Sequence, residues 1–239
     1  MAVADKPPST SGAIDTPPPL ENGDRLTHVE FERRYEAMPG LKKAELIEGV
    51  VYVPSPVTYG KHSKPHAGLL AWLTQFWTGT PGVEVGIDGK IRLDLDNEPQ
   101  PDAFLWILPE YGGQARIDED EYIAGAPELV AEAAASSASY DLHDKLDVYR
   151  RNEAREYVVW RVFDQVIDWF ILREGRYERL PLGEDGIYRS VVFPGLWLDQ
   201  AALLRGDLAT VAQVLQQGIT SPEHAGFVAR LQAKAAGGG

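Results

Sequence analysis

The chain has 239 residues, 44% of them hydrophobic, and a formal net charge of -13. That length allows one sizeable core, and the charge argues against a broad basic surface that grips nucleic acid nonspecifically. The absence of cysteine excludes disulfides and zinc sites built on thiolates.

Residues 1–24 are rich in Pro, Ser, Gly and Asp, and read as a disordered leader. They hold a charge of -3 and residues 218–239 hold +1, which leaves -11 on residues 25–217. Residues 25–217 read as a single domain, and residues 218–239 as a tail that is disordered from Ala233. The leader has no apolar stretch of signal-peptide length, and no segment approaches the ~20 apolar residues of a membrane span. The expectation is a cytoplasmic protein with no membrane partner.

Thr27 opens a short helix, with Glu30 completing a capping box. Residues 44–53 read as a strand pair around Glu48-Gly49. A helix is expected over 62–78, with Leu69, Leu70, Leu73 and Phe76 at helical spacing. Val83, Val85 and Ile87 alternate, as do Ile91, Leu93 and Leu95, and Asp88-Gly89 between them predicts a hairpin. Strands follow at about 102–108 and 128–135, then a helix over 141–152. Residues 156–162 and 166–172 read as strands, with a second hairpin turn at Glu174-Gly175. Leu204, Leu208, Val211 and Leu215 predict a last amphipathic helix. The mixture is α/β, with helices packed on a central sheet.

Three residues stand out for chemistry. Asp102 follows Pro101 at the mouth of one apolar strand, and Glu132 lies in the middle of another, between Ala131 and Ala133. A carboxylate in a buried strand is costly unless a cation offsets it. Two carboxylates on adjacent strands can share a magnesium-like ion, which suits phosphodiester cleavage. Asp141, Lys145 and Tyr149 are spaced four apart and share one helix face. On spacing alone Asp141 and Lys145 read as a solvated pair; with Asp102 and Glu132 upstream, Lys145 joins a site. Ser136, Ser137 and Ser139 could cap this helix. Glu45 is the better candidate for a third acid, because Glu48 falls in a turn and is expected to be exposed. His62 and His66 have a spacing that can bind metal, but Pro65 lies between them and no Glu does; they read as helix-start or surface residues. Glycine-rich phosphate loops and Gly-Xaa-Ser-Xaa-Gly elbows are absent from the sequence.

Together these residues resemble the Uma-two family of endonucleases, with the PD-(D/E)XK motif and the restriction-endonuclease-like fold. The resemblance covers roughly residues 26–205. It rests on Glu45-Leu46-Ile47-Glu48-Gly49, on His66 opening a helix and on Pro101-Asp102. It continues through residues 127–132 with Ser136, through Asp141 with Lys145 and Tyr149, and through Phe193-Pro194-Gly195-Leu196. It implies a mixed central sheet flanked by helices, metal binding by Asp102 and Glu132, and a supporting role for Glu45. The lysine of the motif, two residues after Glu132, is Ala134 here, and Lys145 fits the role from the following helix. The alanines after Glu132 also depart from the bulkier residues usual in the family.

The expected function is a Mg2+- or Mn2+-dependent endonuclease acting on DNA through Asp102, Glu132, Glu45 and Lys145. The alternative is a catalytically inactive nuclease-like scaffold that binds protein or nucleic acid, motivated by the acidic surface, Ala134 and six tryptophans. An exposed strand over 166–172 suggests edge-to-edge pairing into a homodimer.

Overall fold

The computed structural model describes residues 17–54, 58–135 and 137–237. Most of the expected leader, Ser136 and the last two glycines lie outside the described residues. The first half contains α1 (His28–Glu36), β1 (Glu45–Ile47), β2 (Val50–Tyr52), α2 (Lys64–Thr78), β3 (Val83–Ile87), β4 (Ile91–Arg92), β5 (Ala103–Ile107), β6 (Arg116–Ile117) and β7 (Ile123–Ala124). The second contains β8 (Leu129–Ala134), α3 (Ala138–Leu142), α4 (Asp144–Arg151), β9 (Glu156–Arg161), β10 (Val166–Arg173) and β11 (Arg176–Arg179). It ends with β12 (Ile187–Arg189), β13 (Trp197–Asp199), α5 (Gln200–Arg205), α6 (Leu208–Ile219) and α7 (Pro222–Gly237).

A six-stranded mixed sheet in the order β11-β10-β9-β8-β5-β3 organises the molecule. Within this sheet only β8 and β9 pair in parallel, and α3 and α4 make the crossover between them. Both strands are apolar on both faces because both faces are covered. Leu129, Ala131, Ala133, Val158 and Trp160 enter the larger core with α2. Val130, Ala134, Tyr157 and Val159 enter a second core with Tyr149 of α4. Leu46 and Val51 of the β1–β2 hairpin pack with Phe31 of α1 in a third, small core. Thr27 caps α1, accepting a hydrogen bond from the Glu30 amide. The hairpins at Glu48-Gly49 and Glu174-Gly175 form where the sequence places them.

The structure departs from the sequence reading in six places. Asp88-Gly89 does not close a hairpin: β3 pairs with β5, while β4 joins a separate sheet with β7 and β6. The Phe104 ring lies against Gly86, where any Cβ would collide with it, and Ile91 turns away into the second core. The helix expected over 141–152 breaks at His143, because the Tyr157 hydroxyl donates to the Asp141 carbonyl at 3.1 Å. Ser137 makes no capping bond with its side chain. The last amphipathic stretch splits at Gly206 (φ 77°), and Asp207 caps α6 through the Thr210 amide. Residues 222–237 are helix, not tail: Phe227 and Leu231, four apart, bury in the main core. Finally, β10 is hydrogen-bonded on both sides, to β9 and β11. It offers no free edge, so the observation behind the homodimer expectation is lost; the sheet's outer strands are β3 and β11. Among the described residues no helix is long and apolar enough to cross a membrane.

Candidate metal and nuclease site

Strand register brings the two acids together. Ala103 of β5 pairs with Ala131 of antiparallel β8, so one step outward sets Asp102 across from Glu132. Each carboxylate then braces the other's strand. The Asp102 amide donates to Glu132 Oε2 at 3.2 Å, and the Ala133 amide donates to Asp102 Oδ2 at 2.9 Å. Each acid keeps one oxygen for other partners.

Lys145 meets Glu132 from α4. Its Nζ lies 2.8 Å from Glu132 Oε1, 2.8 Å from Glu45 Oε1 and 3.6 Å from Asp141 Oδ1. The pair read from spacing as solvated is thus buried, with both residues 3% exposed or less. Glu45 arrives from β1, whose Leu46 turns to the small core, and it also accepts the Gln100 amide at 2.7 Å. Glu48 is exposed on the hairpin turn and bonds Arg151 instead. Among the described residues, the buried hydroxyls of Tyr149, behind the cluster, and Tyr140, beside it, have no hydrogen-bond partner.

Three further side chains reach Asp102. Lys43 Nζ is 3.1 Å from Asp102 Oδ1 and 3.6 Å from the half-exposed Asp88. His62 Nε2 is 3.5 Å from the same Asp102 oxygen, and His66 Nε2 is 2.8 Å from the Asp102 carbonyl. Spacing along the chain reads both histidines as helix-start or surface residues and does not single out Lys43. Their convergence comes from the π-turn over Tyr59–Ser63, which leads into α2 and aims both rings at β5. Lys42-Lys43, directly before Glu45, was a readable signal for a cation at this edge. The whole set lines a cleft of about 1090 Å³ that Lys42 and Lys61 also border.

The electrostatics separate the two acids. Burial works against the Asp102 charge, but Lys43, His62 and the Ala133 amide outweigh it and hold its carboxyl below the usual range. Burial dominates at Glu132, and Asp102 and Asp141 add to it against the pull of Lys145, so its pKa is pushed up to about 8. Burial also raises Asp141. Burial disfavours the Lys145 charge, yet Glu132, Glu45 and Asp141 together lift its pKa well above the ordinary value. Lys145 is therefore a fixed cation and not a proton acceptor. Four buried carboxylates face two ammonium groups here. With every carboxylate ionised the excess would be two negative charges, which one divalent cation would cancel; without a cation the crowding keeps a proton on Glu132 instead. The oxygen-rich donor set and that imbalance fit a hard divalent ion.

A second group, His28, Glu32 and Glu98, could also hold a metal by distance. Its centre is already filled: Lys90 Nζ lies 2.7 Å from Glu32 and 2.6 Å from Glu98. The tryptophans offer little binding surface; Trp72, Trp106, Trp160 and Trp169 are buried, and Trp77 is 40% exposed.

Comparison with known proteins agrees with this architecture. The model of the Uma2 family, described as "Putative restriction endonuclease", matches residues 29–201. A crystal structure described as a "putative nuclease belonging to DUF820" from Anabaena variabilis ATCC 29413 superposes with a TM-score of 0.56 at 16% identity. The match covers 76% of this chain and 98% of that one. At that identity the likeness shows the fold alone. No curated protein matches the chain. The chain belongs to the Uma2 family.

Proposed function

We propose that this member of the Uma2 family is a divalent-metal-dependent endonuclease that hydrolyses phosphodiester bonds in DNA. The observation that carries the reading is the crowding of four buried carboxylates, Glu45, Asp102, Glu132 and Asp141, around two ammonium groups, Lys43 and Lys145, at the floor of one cleft. Asp102 and Glu132 would hold Mg2+ or Mn2+, with Glu45 assisting from β1 of the separate hairpin. When bound, such an ion polarises a phosphoryl oxygen and acidifies water.

The chain's own groups account for the rest. Asp102 is the acid kept ionised by its surroundings and so the first to offer charge to a cation. Lys145 sits against Glu132 as a permanent ammonium, placed to offset negative charge that builds on the phosphate. It takes the part of the motif lysine that Ala134 cannot supply, reaching Glu132 from α4. Lys42, Lys43 and Lys61 line the cleft. They give an acidic chain a local basic entrance for a polyanion. The scaffold alternative loses one motive, since most of the tryptophans are buried.

The test is cleavage of supercoiled and single-stranded DNA with Mn2+ or Mg2+, beside Glu132→Ala of verified fold. Cleavage by the wild type that disappears in the variant is expected. Equal cleavage by both proteins would overturn the assignment.

A further inference from the structure

The two imidazoles are not accounted for by the carboxylate site. His62 and His66 lie on either side of the junction between the π-turn and α2, with ring centroids 5.6 Å apart. His62 Nδ1 is 3.1 Å from the Ala133 carbonyl oxygen. A carbonyl only accepts, so Nδ1 carries the hydrogen, and Nε2 is the ring nitrogen left to offer a lone pair. That nitrogen faces Asp102 Oδ1 at 3.5 Å. Either a proton on Nε2 or a metal ion between the two atoms would satisfy both of them. His66 Nε2, 2.8 Å from the Asp102 carbonyl, donates there in the same way. Both rings are thus oriented by backbone carbonyls, the kind of outer contact that fixes the tautomer of metal-binding histidines. One ligand atom from each of His62, His66 and Asp102 lies within 4.8 Å of the others.

We propose that His62 and His66 join Asp102 in a mixed nitrogen–oxygen metal site, so that this chain selects Mn2+, Co2+ or Zn2+ over Mg2+. The inference rests on the reading of Asp102 as a metal ligand given above, and it names the class of ion that the site takes. Mg2+ keeps oxygen ligands and dehydrates reluctantly. Imidazole suits the first-row transition ions and zinc instead. Lys43 shares the Asp102 oxygen in the metal-free protein and gives way when the ion enters. Its side chain is 23% exposed and borders the cleft, so it has room to swing out.

The experiment uses the metal-free full chain titrated with Mn2+ alone. Free Mn2+ is counted by its solution EPR signal, and bound Mn2+ is examined by pulsed EPR for coupling to 14N. Expected are one tightly bound Mn2+, imidazole 14N coupling, and roughly tenfold or greater weakening in each of His62→Gln and His66→Gln. Mg2+ should displace Mn2+ only at roughly a hundredfold excess, a gap that narrows in the double variant. Bound Mn2+ without nitrogen coupling, and with unchanged affinity in both variants, overturns this inference while leaving a carboxylate site standing. A nitrogen signal that survives the double variant and vanishes in His28→Gln also overturns it, since the ion then sits in the second cluster. No Mn2+ binding at millimolar concentration overturns both this inference and the nuclease reading beneath it. The nitrogen signal of the wild type needs no variant, so a misfolded substitution cannot blur the result.

Discussion

Glu132 and Glu156 lie on neighbouring parallel strands, β8 and β9, and both are buried, at 4% and 0% exposure. Their surroundings differ completely. Glu156 accepts the amides of Val191 and Val192 on one oxygen, and the Ser190 hydroxyl and the Trp169 indole N–H on the other. All of its donors are neutral, and its lone pairs are spent. Glu132 has one amide, one ammonium and two further carboxylates for company. Burial alone therefore does not mark a functional acid. A carboxylate saturated by neutral donors ties loops to a strand, as Glu156 ties β9 to the turn after β12. A carboxylate crowded by like charges at a cleft floor is one that a bound cation would stabilise.

Substitution should separate the two most sharply in activity. Glu132→Gln is expected to lower metal-dependent cleavage by roughly a thousandfold, about 4 kcal/mol of barrier, whereas Glu156→Gln at a temperature where it stays folded should cleave normally. Equal losses in both would erase the distinction. Stability should respond in the opposite sense. Glu156→Gln sets an amide N–H2 against donors of which only the Ser190 hydroxyl can also accept, and should cost about 2–3 kcal/mol in urea unfolding. Glu132→Gln relieves carboxylate crowding and leaves Lys145 paired with Glu45 and Asp141, so metal-free stability should hold or rise.

The pH response sharpens the contrast further. Glu132 is pushed up to about 8 and Glu98 to about 7, both by burial first. An acid whose folded pKa lies above its unfolded value of 4.5 favours the protonated fold. Its contribution is complete below pH 4.5 and is lost as pH rises through the folded value. Asp102, held below its usual range, already contributes in full across that window. The metal-free melting temperature should therefore fall between pH 5 and pH 8, and Glu132→Gln should flatten part of that slope; an unchanged slope would contradict the account. The smallest effect expected is at the entrance. Lys43→Met removes a cation that competes for Asp102 Oδ1 and should tighten Mn2+ binding a few-fold by the same EPR titration; weaker binding would show instead that Lys43 supports the ion.

Much of this was legible in the chain because it is local. The apolar runs of β5, β8, β9 and β10, the turns at Glu48-Gly49 and Glu174-Gly175, and the Thr27 cap are each written within a few residues. Glu132 stood out because a charge in the middle of a buried strand breaks its own pattern. The reading failed where a local signal had a nonlocal competitor. Asp88-Gly89 is a good hairpin turn, yet the bulk of Phe104 against Gly86 and the pull of the second core on Ile91 send the two arms to different sheets. Phe227 and Leu231 were overlooked in a chain end rich in alanine and glycine, since the partners that bury them, such as Phe193, lie more than thirty residues earlier.

The sequence by itself determined where β5, β8, β9 and β10 run, and that an aspartate, a glutamate and a lysine follow one another into an α/β sheet, because side-chain periodicity is enough to decide which face of a segment avoids water. Only the tertiary structure decided what those residues meet. The β5–β8 register sets Asp102 opposite Glu132. The break at His143 accompanies the descent of Lys145 onto three carboxylates at once. The turn into α2 carries two histidines from 36 and 40 positions upstream to Asp102. Contacts between residues so far apart follow from sheet register and helix packing, and no spacing along the chain encodes them.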